Sequence, residues 1–207
     1  MIGFYDYTVI LTYLSLLSAV TGIGLAVARH PLLAILCLMF SGLCDMFDGR
    51  VARTKKNRTA EQKGFGIQID SLCDIVAFGI LPAVITIVVC GSVWYAVLIA
   101  ALYVLAGLIR LAYFNVTEEE RQDRTSENRA YYLGVPVTAS AVLAPLFYLL
   151  SLHFALNCAV VYALGLFLLG VLYITPIRVK KPQLRGVAFL SVFGLGEFAV
   201  LLRVLTR

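Results

Sequence analysis

Charge is scarce in this chain. Of 207 residues, 14% are Asp, Glu, Lys or Arg, while 61% are hydrophobic. A soluble domain of this length could not cover its surface with so few polar groups, so that class is excluded. Histidine is scarcer still: His30 and His153 lie beside turns, far from the main acidic residues, and neither is a candidate catalyst. No CxxC pair occurs. The five cysteines, Cys37, Cys44, Cys73, Cys90 and Cys158, are scattered through apolar stretches and read as small packing residues, which excludes a zinc ribbon or a disulfide framework. Internal repeats and low-complexity tracts are missing. So is the basic n-region of a cleavable signal peptide.

What is present is long apolar runs. A helix needs about 20 apolar residues to cross a bilayer, and membrane helices are expected near Thr8–Ala28, Leu32–Arg53, Phe65–Cys90, Val93–Val116, Gly134–Leu152, Ala155–Thr175 and Gly186–Leu205. The fold class is therefore all-α, a polytopic membrane helical bundle of about seven helices, in a single domain over residues 1–207. In the last helix Gly194, Gly196 and Glu197 predict a kink or a re-entrant segment. Phe4, Tyr5 and Tyr7 read as an interfacial aromatic anchor.

The net charge of +5 raises nucleic acid as a partner, but its placement argues against it. Lys55, Lys56, Arg58 and Lys63 fall in one loop, Arg121, Arg124 and Arg129 in a second, and Arg178, Lys180, Lys181 and Arg185 in a third. Counting helices puts all three on one side. The positive-inside rule makes that side cytoplasmic in a multi-pass protein of the cell membrane, with basic loops facing anionic lipid. Glu118–Arg129, the most charged stretch, is expected as an exposed helix or loop.

Four aspartates lie at the cytoplasmic ends of two of these helices. Relative to Asp45, the residues Asp48, Gly49, Ala52 and Arg53 stand at steps of three, four, seven and eight, which is one helix face. Gly66, Asp70 and Asp74 follow at steps of four, again one face. If the two faces meet, four carboxylates converge beside a floor of Gly49, Ala52 and Gly66. Charges at this depth are costly and need compensation. All-oxygen ligands without His or Cys favour Mg²⁺ or Mn²⁺, and two ions sharing carboxylates suit phosphoryl transfer. Small residues admit a phosphate close to the backbone, and the planar fork of Arg53 can pair with it.

The run Asp45-x2-Asp48-Gly49-x2-Ala52-Arg53, then Gly66-x3-Asp70-x3-Asp74, resembles the signature of the CDP-alcohol phosphatidyltransferase family. Twelve residues separate Arg53 from Gly66, about one helical turn more than the family usually has. The resemblance implies a six-helix membrane core, CDP-diacylglycerol as substrate, CMP as leaving group and a homodimer. It implies that Asp45, Asp48 and Asp70 hold one ion, that Asp45, Asp70 and Asp74 hold a second, and that Asp74 is the catalytic base. It assigns Gly49, Ala52, Arg53 and Gly66 to the nucleotide. Thr12 joins them by position, although the Pro-Asn that usually precedes that threonine is missing.

Two further stretches resemble the phosphatidylserine synthases of this family. One is Gly107-Leu-Ile-Arg110-Leu-Ala-Tyr113-Phe-Asn115, with Tyr113 where that run has a second arginine. The other is Tyr131-Tyr-Leu-Gly134-Val-Pro136-Val-Thr138. L-serine is the acceptor they imply, with Arg110 and Asn115 binding serine or the lipid phosphate. Arg110 could equally snorkel to headgroups. Glycerol phosphate or an inositol phosphate are alternative acceptors. An intramembrane prenyltransferase has no place for the Gly49-x2-Ala52-Arg53 block, and a cation transporter places its site nearer the midplane.

Overall fold

A computed structural model describes residues 3–4, 6–55, 57–124, 131–180 and 184–206. Tyr5, Lys56, Arg129 and Lys181 lie outside the described residues.

Among the described residues the chain forms helices and one short strand pair. A turn of 3₁₀ helix (Tyr7–Val9), capped by the Asp6 carboxylate on the Thr8 N–H, leads into α1 (Ile10–Val27). Helix α2 (Pro31–Thr54) starts on a proline, whose missing N–H is harmless in a first turn. These two helices pack closely. A Cβ at Gly22 would stand 2.9 Å from that of Cys37. Ser18 donates to the Cys37 carbonyl at 2.9 Å and Ser41 to the Ser15 carbonyl at 3.0 Å. Small residues and serine hydroxyls are the usual adhesive between membrane helices, where lipid supplies no hydrophobic drive for association.

Helix α3 (Ala60–Asp74) continues through a π-helical stretch (Ile75–Ile80) into α4 (Leu81–Val89), one rod of helix. The sequence reading starts this rod at Phe65. It begins earlier because Thr59 and Gln62 form a capping box, which stabilises a polar first turn that hydropathy does not register. Helix α5 (Trp94–Arg124) likewise outruns its apolar part: the charged residues from Glu118 to Arg124 continue the helix, with Glu118 and Arg121 paired across three residues.

Gly134 does not open a helix, contrary to expectation. It follows strand β1 (Tyr131–Leu133) at φ +75°, and a Cβ there would stand 2.8 Å from the Tyr173 carbonyl. Pro136 comes next, then a 3₁₀ turn (Val137–Ala139) and α6 (Ser140–His153). Helix α7 (Cys158–Ile174) leads to β2 (Arg178–Lys180), which pairs antiparallel with β1. Helix α8 (Leu184–Leu205) is an unbroken helix of 22 residues, so Gly194 and Gly196 do not interrupt it. At 1.5 Å per residue that is about 33 Å, enough to span hydrocarbon.

Four helical segments, 7–27, 31–54, 60–89 and 94–121, are long and apolar enough to cross a membrane, and 137–153 and 158–174 are shorter apolar helices. Leucine, valine and phenylalanine cover their outward faces. All five cysteines are free.

A buried polar network ties four of these rods together below the carboxylates. Pro82 has no N–H for the Phe78 carbonyl four residues back. That carbonyl instead accepts the Tyr103 hydroxyl at 2.6 Å and the Ser140 hydroxyl at 3.3 Å. Tyr173 and Ser140 both reach the Val137 carbonyl at 3.0 Å. Three hydroxyl protons thus serve two carbonyls, and Ser140 stands within reach of both.

Candidate active site

Helices α2 and α3 each bring two aspartates, one turn apart, to the same place. Carboxylate oxygens of Asp45, Asp70 and Asp74 lie within 4.8 Å of one another. Asp48 sits alongside: its carboxylate touches that of Asp70 and accepts the Thr12 hydroxyl at 3.4 Å. All four are partly buried. Thr12 is 5% exposed, so its hydroxyl serves the carboxylate cluster through Asp48. The ion pairs among the described residues are Lys55–Asp6 and Arg121–Glu118, and neither reaches these aspartates.

Four carboxylates packed together in apolar helices with no lysine or arginine among them repel one another and lose hydration. A divalent cation relieves both. The donor set is oxygen only, with no histidine or cysteine, which favours hard cations such as Mg²⁺ or Mn²⁺ over zinc. Asp74 ends α3 at the point where the π-helical stretch begins. Such stretches shift the helix face by a residue and recur at functional sites.

The small residues lie beside this cluster, and two arginines cover them. Arg53 turns back along α2, its Nε donating to the Gly49 carbonyl at 2.9 Å, and a Cβ on Gly49 would lie 3.9 Å from its Nη2. Ala52 is half-buried one turn on. Gly66, on α3, lies under the guanidinium of Arg58.

The sequence profile of the CDP-alcohol phosphatidyltransferases matches residues 7–174, from the first 3₁₀ turn to the end of α7. The chain belongs to this family. Among its relatives, a CDP-diacylglycerol–serine O-phosphatidyltransferase of Helicobacter pylori is 35% identical over 180 residues, 84% of this chain and 71% of the relative. One of the same name from Saccharomyces cerevisiae is 38% identical over 104 residues, 49% of this chain and 36% of the relative. An archaetidylserine synthase of Methanothermobacter thermautotrophicus is 33% identical over 148 residues, 71% of this chain and 56% of the relative. The family is one of transferases that are generally dependent on a divalent metal, and the acidic cluster could hold such an ion.

Arg110 and Asn115, both expected to bind serine or the lipid phosphate, meet different neighbours. Arg110 is 6% exposed, donates from Nε to the Val135 carbonyl at 3.1 Å and lies 5.3 Å over the ring of Phe114. It therefore does not snorkel to headgroups. It lines a cleft of about 320 Å³ with Tyr113, Leu133, Tyr173 and Thr175. Asn115 faces the other way, its amide donating to the Ser71 hydroxyl on α3 at 2.8 Å. Ser71 was not singled out from the sequence. Its signal was its place between Asp70 and Asp74, combined with a polar residue on α5 that needed a partner.

Proposed function

We propose that this chain transfers the phosphatidyl group of CDP-diacylglycerol to the hydroxyl of L-serine, giving phosphatidylserine and CMP. The observation that carries the reading is the convergence of Asp45, Asp70 and Asp74 from two helices without a cationic partner among the described residues. Membership of the transferase family and the names of the relatives support serine as the acceptor.

In this reading Asp45, Asp48 and Asp70 would hold one ion, and Asp45, Asp70 and Asp74 a second, Mg²⁺ or Mn²⁺; such ions would supply positive charge to offset the diphosphate and the CMP leaving group. Asp74 takes the proton from the serine hydroxyl as its oxygen bonds to the lipid-side phosphorus and the bond to CMP breaks. Gly49, Ala52, Arg53 and Gly66 receive the nucleotide, and Thr12 steadies Asp48. Arg110 offers a guanidinium to the serine carboxylate or the lipid phosphate. Asn115 holds the acceptor side of α3 through Ser71. The site opens to the cytoplasmic face of the cell membrane, and the enzyme acts as a single membrane domain that pairs into a homodimer.

The test is CMP release from CDP-diacylglycerol by the purified protein with Mn²⁺ or Mg²⁺ and a panel of alcohols: serine, glycerol phosphate, inositol and inositol phosphate. Release with serine alone is expected. Release with another alcohol but not serine would reassign the acceptor, and none with any alcohol would sink the transferase reading for this chain.

A further inference from the structure

We propose that Arg58 is a second guanidinium of the nucleotide site, pairing with an anionic phosphate oxygen of the CDP-lipid and of CMP beside Gly66. The inference rests on the CDP-lipid reading above and adds a residue from the lengthened connection between α2 and α3.

Arg58 immediately precedes Thr59, the N-cap of α3. Its side chain bends back along the helix, and Nη2 donates to the Gln62 carbonyl at 3.1 Å. Gln62, Gly66, Asp70 and Asp74 stand at steps of four, so the guanidinium lies at the head of the face that carries two of the carboxylates. Contact with Gly66 is close: a Cβ there would lie 2.5 Å from Nη2. The glycine thus makes room for an arginine.

The donors of this arginine are poorly used. Its Nε is enclosed and has no acceptor. An enclosed charged donor without a partner is unfavourable unless something else supplies an oxygen. Asp6 faces Arg58 at longer range, but its carboxylate is engaged by Lys55. Arg53, by contrast, already spends its Nε on the Gly49 carbonyl. Each signature glycine therefore carries a guanidinium above it, and the one over Gly66 holds the unspent donor. A guanidinium fork matches phosphate oxygens in spacing as well as charge, whereas a lysine of the same loop offers a point charge without the planar fork. The ligand class is a nucleoside mono- or diphosphate bearing its charge near the backbone of α3.

The experiment uses the full chain in detergent micelles with Mn²⁺. Calorimetry gives the CMP dissociation constant, and steady-state assays give KM for CDP-diacylglycerol and for serine. Arg58→Ala is expected to raise the CMP Kd and the CDP-diacylglycerol KM about tenfold, the loss of one charge-assisted pair, with the serine KM and kcat within about twofold. Arg58→Lys should recover part of the affinity. Gly66→Ala narrows the approach to the backbone and also displaces the Arg58 guanidinium, so it should weaken CMP binding in the parent and weaken it by a smaller factor in the Arg58→Ala background, where the second of those effects is already lost. Unchanged or tighter CMP binding in Arg58→Ala, in protein with the parent's melting temperature, would overturn the role of Arg58 and leave the transferase reading standing. A parent that neither binds CMP nor releases it from CDP-diacylglycerol would overturn both.

Discussion

Tyr103→Phe removes one hydroxyl and nothing else, from a site with three donors and two carbonyls. The Phe78 carbonyl, which Pro82 cannot serve, loses its 2.6 Å partner. A bare buried carbonyl costs about 1–3 kcal/mol. Ser140 limits the damage: its hydroxyl lies 3.3 Å from the same oxygen, and Tyr173 can hold the Val137 carbonyl alone at 3.0 Å. The single substitution should therefore cost only about 0.5–1 kcal/mol, near the average for hydrogen bonds between membrane helices. Ser140→Ala alone should cost less, since each carbonyl keeps a tyrosine. Together they strip the Phe78 carbonyl, so the double variant should lose about 1 kcal/mol beyond the sum of the singles. Denaturant unfolding in mixed micelles, followed by circular dichroism, reads the cycle. The π-helical stretch these groups hold begins directly after Asp74, so Mn²⁺ affinity measured by electron paramagnetic resonance should fall in the double variant and hold in the singles. Additive unfolding energies, or Mn²⁺ affinity untouched in the double variant, would refute the claim that this network sets the π-helical stretch and the position of Asp74.

Asp74→Asn should reduce turnover by about 10²–10⁴, the usual range for loss of a general base, while CMP binding changes only a few-fold; retained turnover would remove Asp74 as the base. Chelation by EDTA should abolish CMP release, and Mg²⁺ or Mn²⁺ should restore it, with zinc failing because the ligand set is carboxylate only. Lys55 and the Thr8 N–H hold the Asp6 carboxyl below its ordinary 3.8. A depressed acid stabilises above its unfolded pKa and loses that contribution as pH falls through the folded one. Protease cleavage of the first turn should thus be flat from about pH 5 to 8 and rise only in stronger acid, whereas Asp6→Asn should raise it throughout; equal protection in Asp6→Asn would show that the pair does not hold the segment.

The carboxylates were legible because helix-face spacing is local. Steps of three and four between Asp45 and Arg53, and of four between Gly66 and Asp74, survive any packing of the two helices. Helix ends were less legible where they turn polar. Hydropathy passes over the Thr59–Gln62 capping box and the charged end of α5, because neither buries apolar surface. The Tyr103 network was out of reach for another reason. Pro82 announces an unserved carbonyl at Phe78, but its donor lies 25 residues away on α5, and only packing brings it there. Arg58 is similar: in the sequence it is one cation of a basic loop, and only the fold lays it across Gly66.

The acceptor motif shows what a linear string leaves out. Arg110 and Asn115 fall in one short run and invite one role. On a helix, five residues turn the chain about 140° and raise it about 7.5 Å. The two side chains accordingly meet different neighbours, Val135 and Phe114 for one, Ser71 for the other. If both serve serine, they do so from separate sides and share no partner, so their effects should add. Arg110→Ala should raise the serine KM by about tenfold as a lost charge-assisted contact. Asn115→Ala, acting through Ser71 on the helix of Asp70 and Asp74, should lower kcat with a smaller change in KM. The double variant should show the product of the two, within the few tenths of a kcal/mol expected of independent sites. A loss in the double no greater than in Arg110→Ala alone would mean the residues form one unit, and the division read from α5 would be wrong. Serine kinetics unchanged in Arg110→Ala would confine that arginine to holding the Val135 carbonyl.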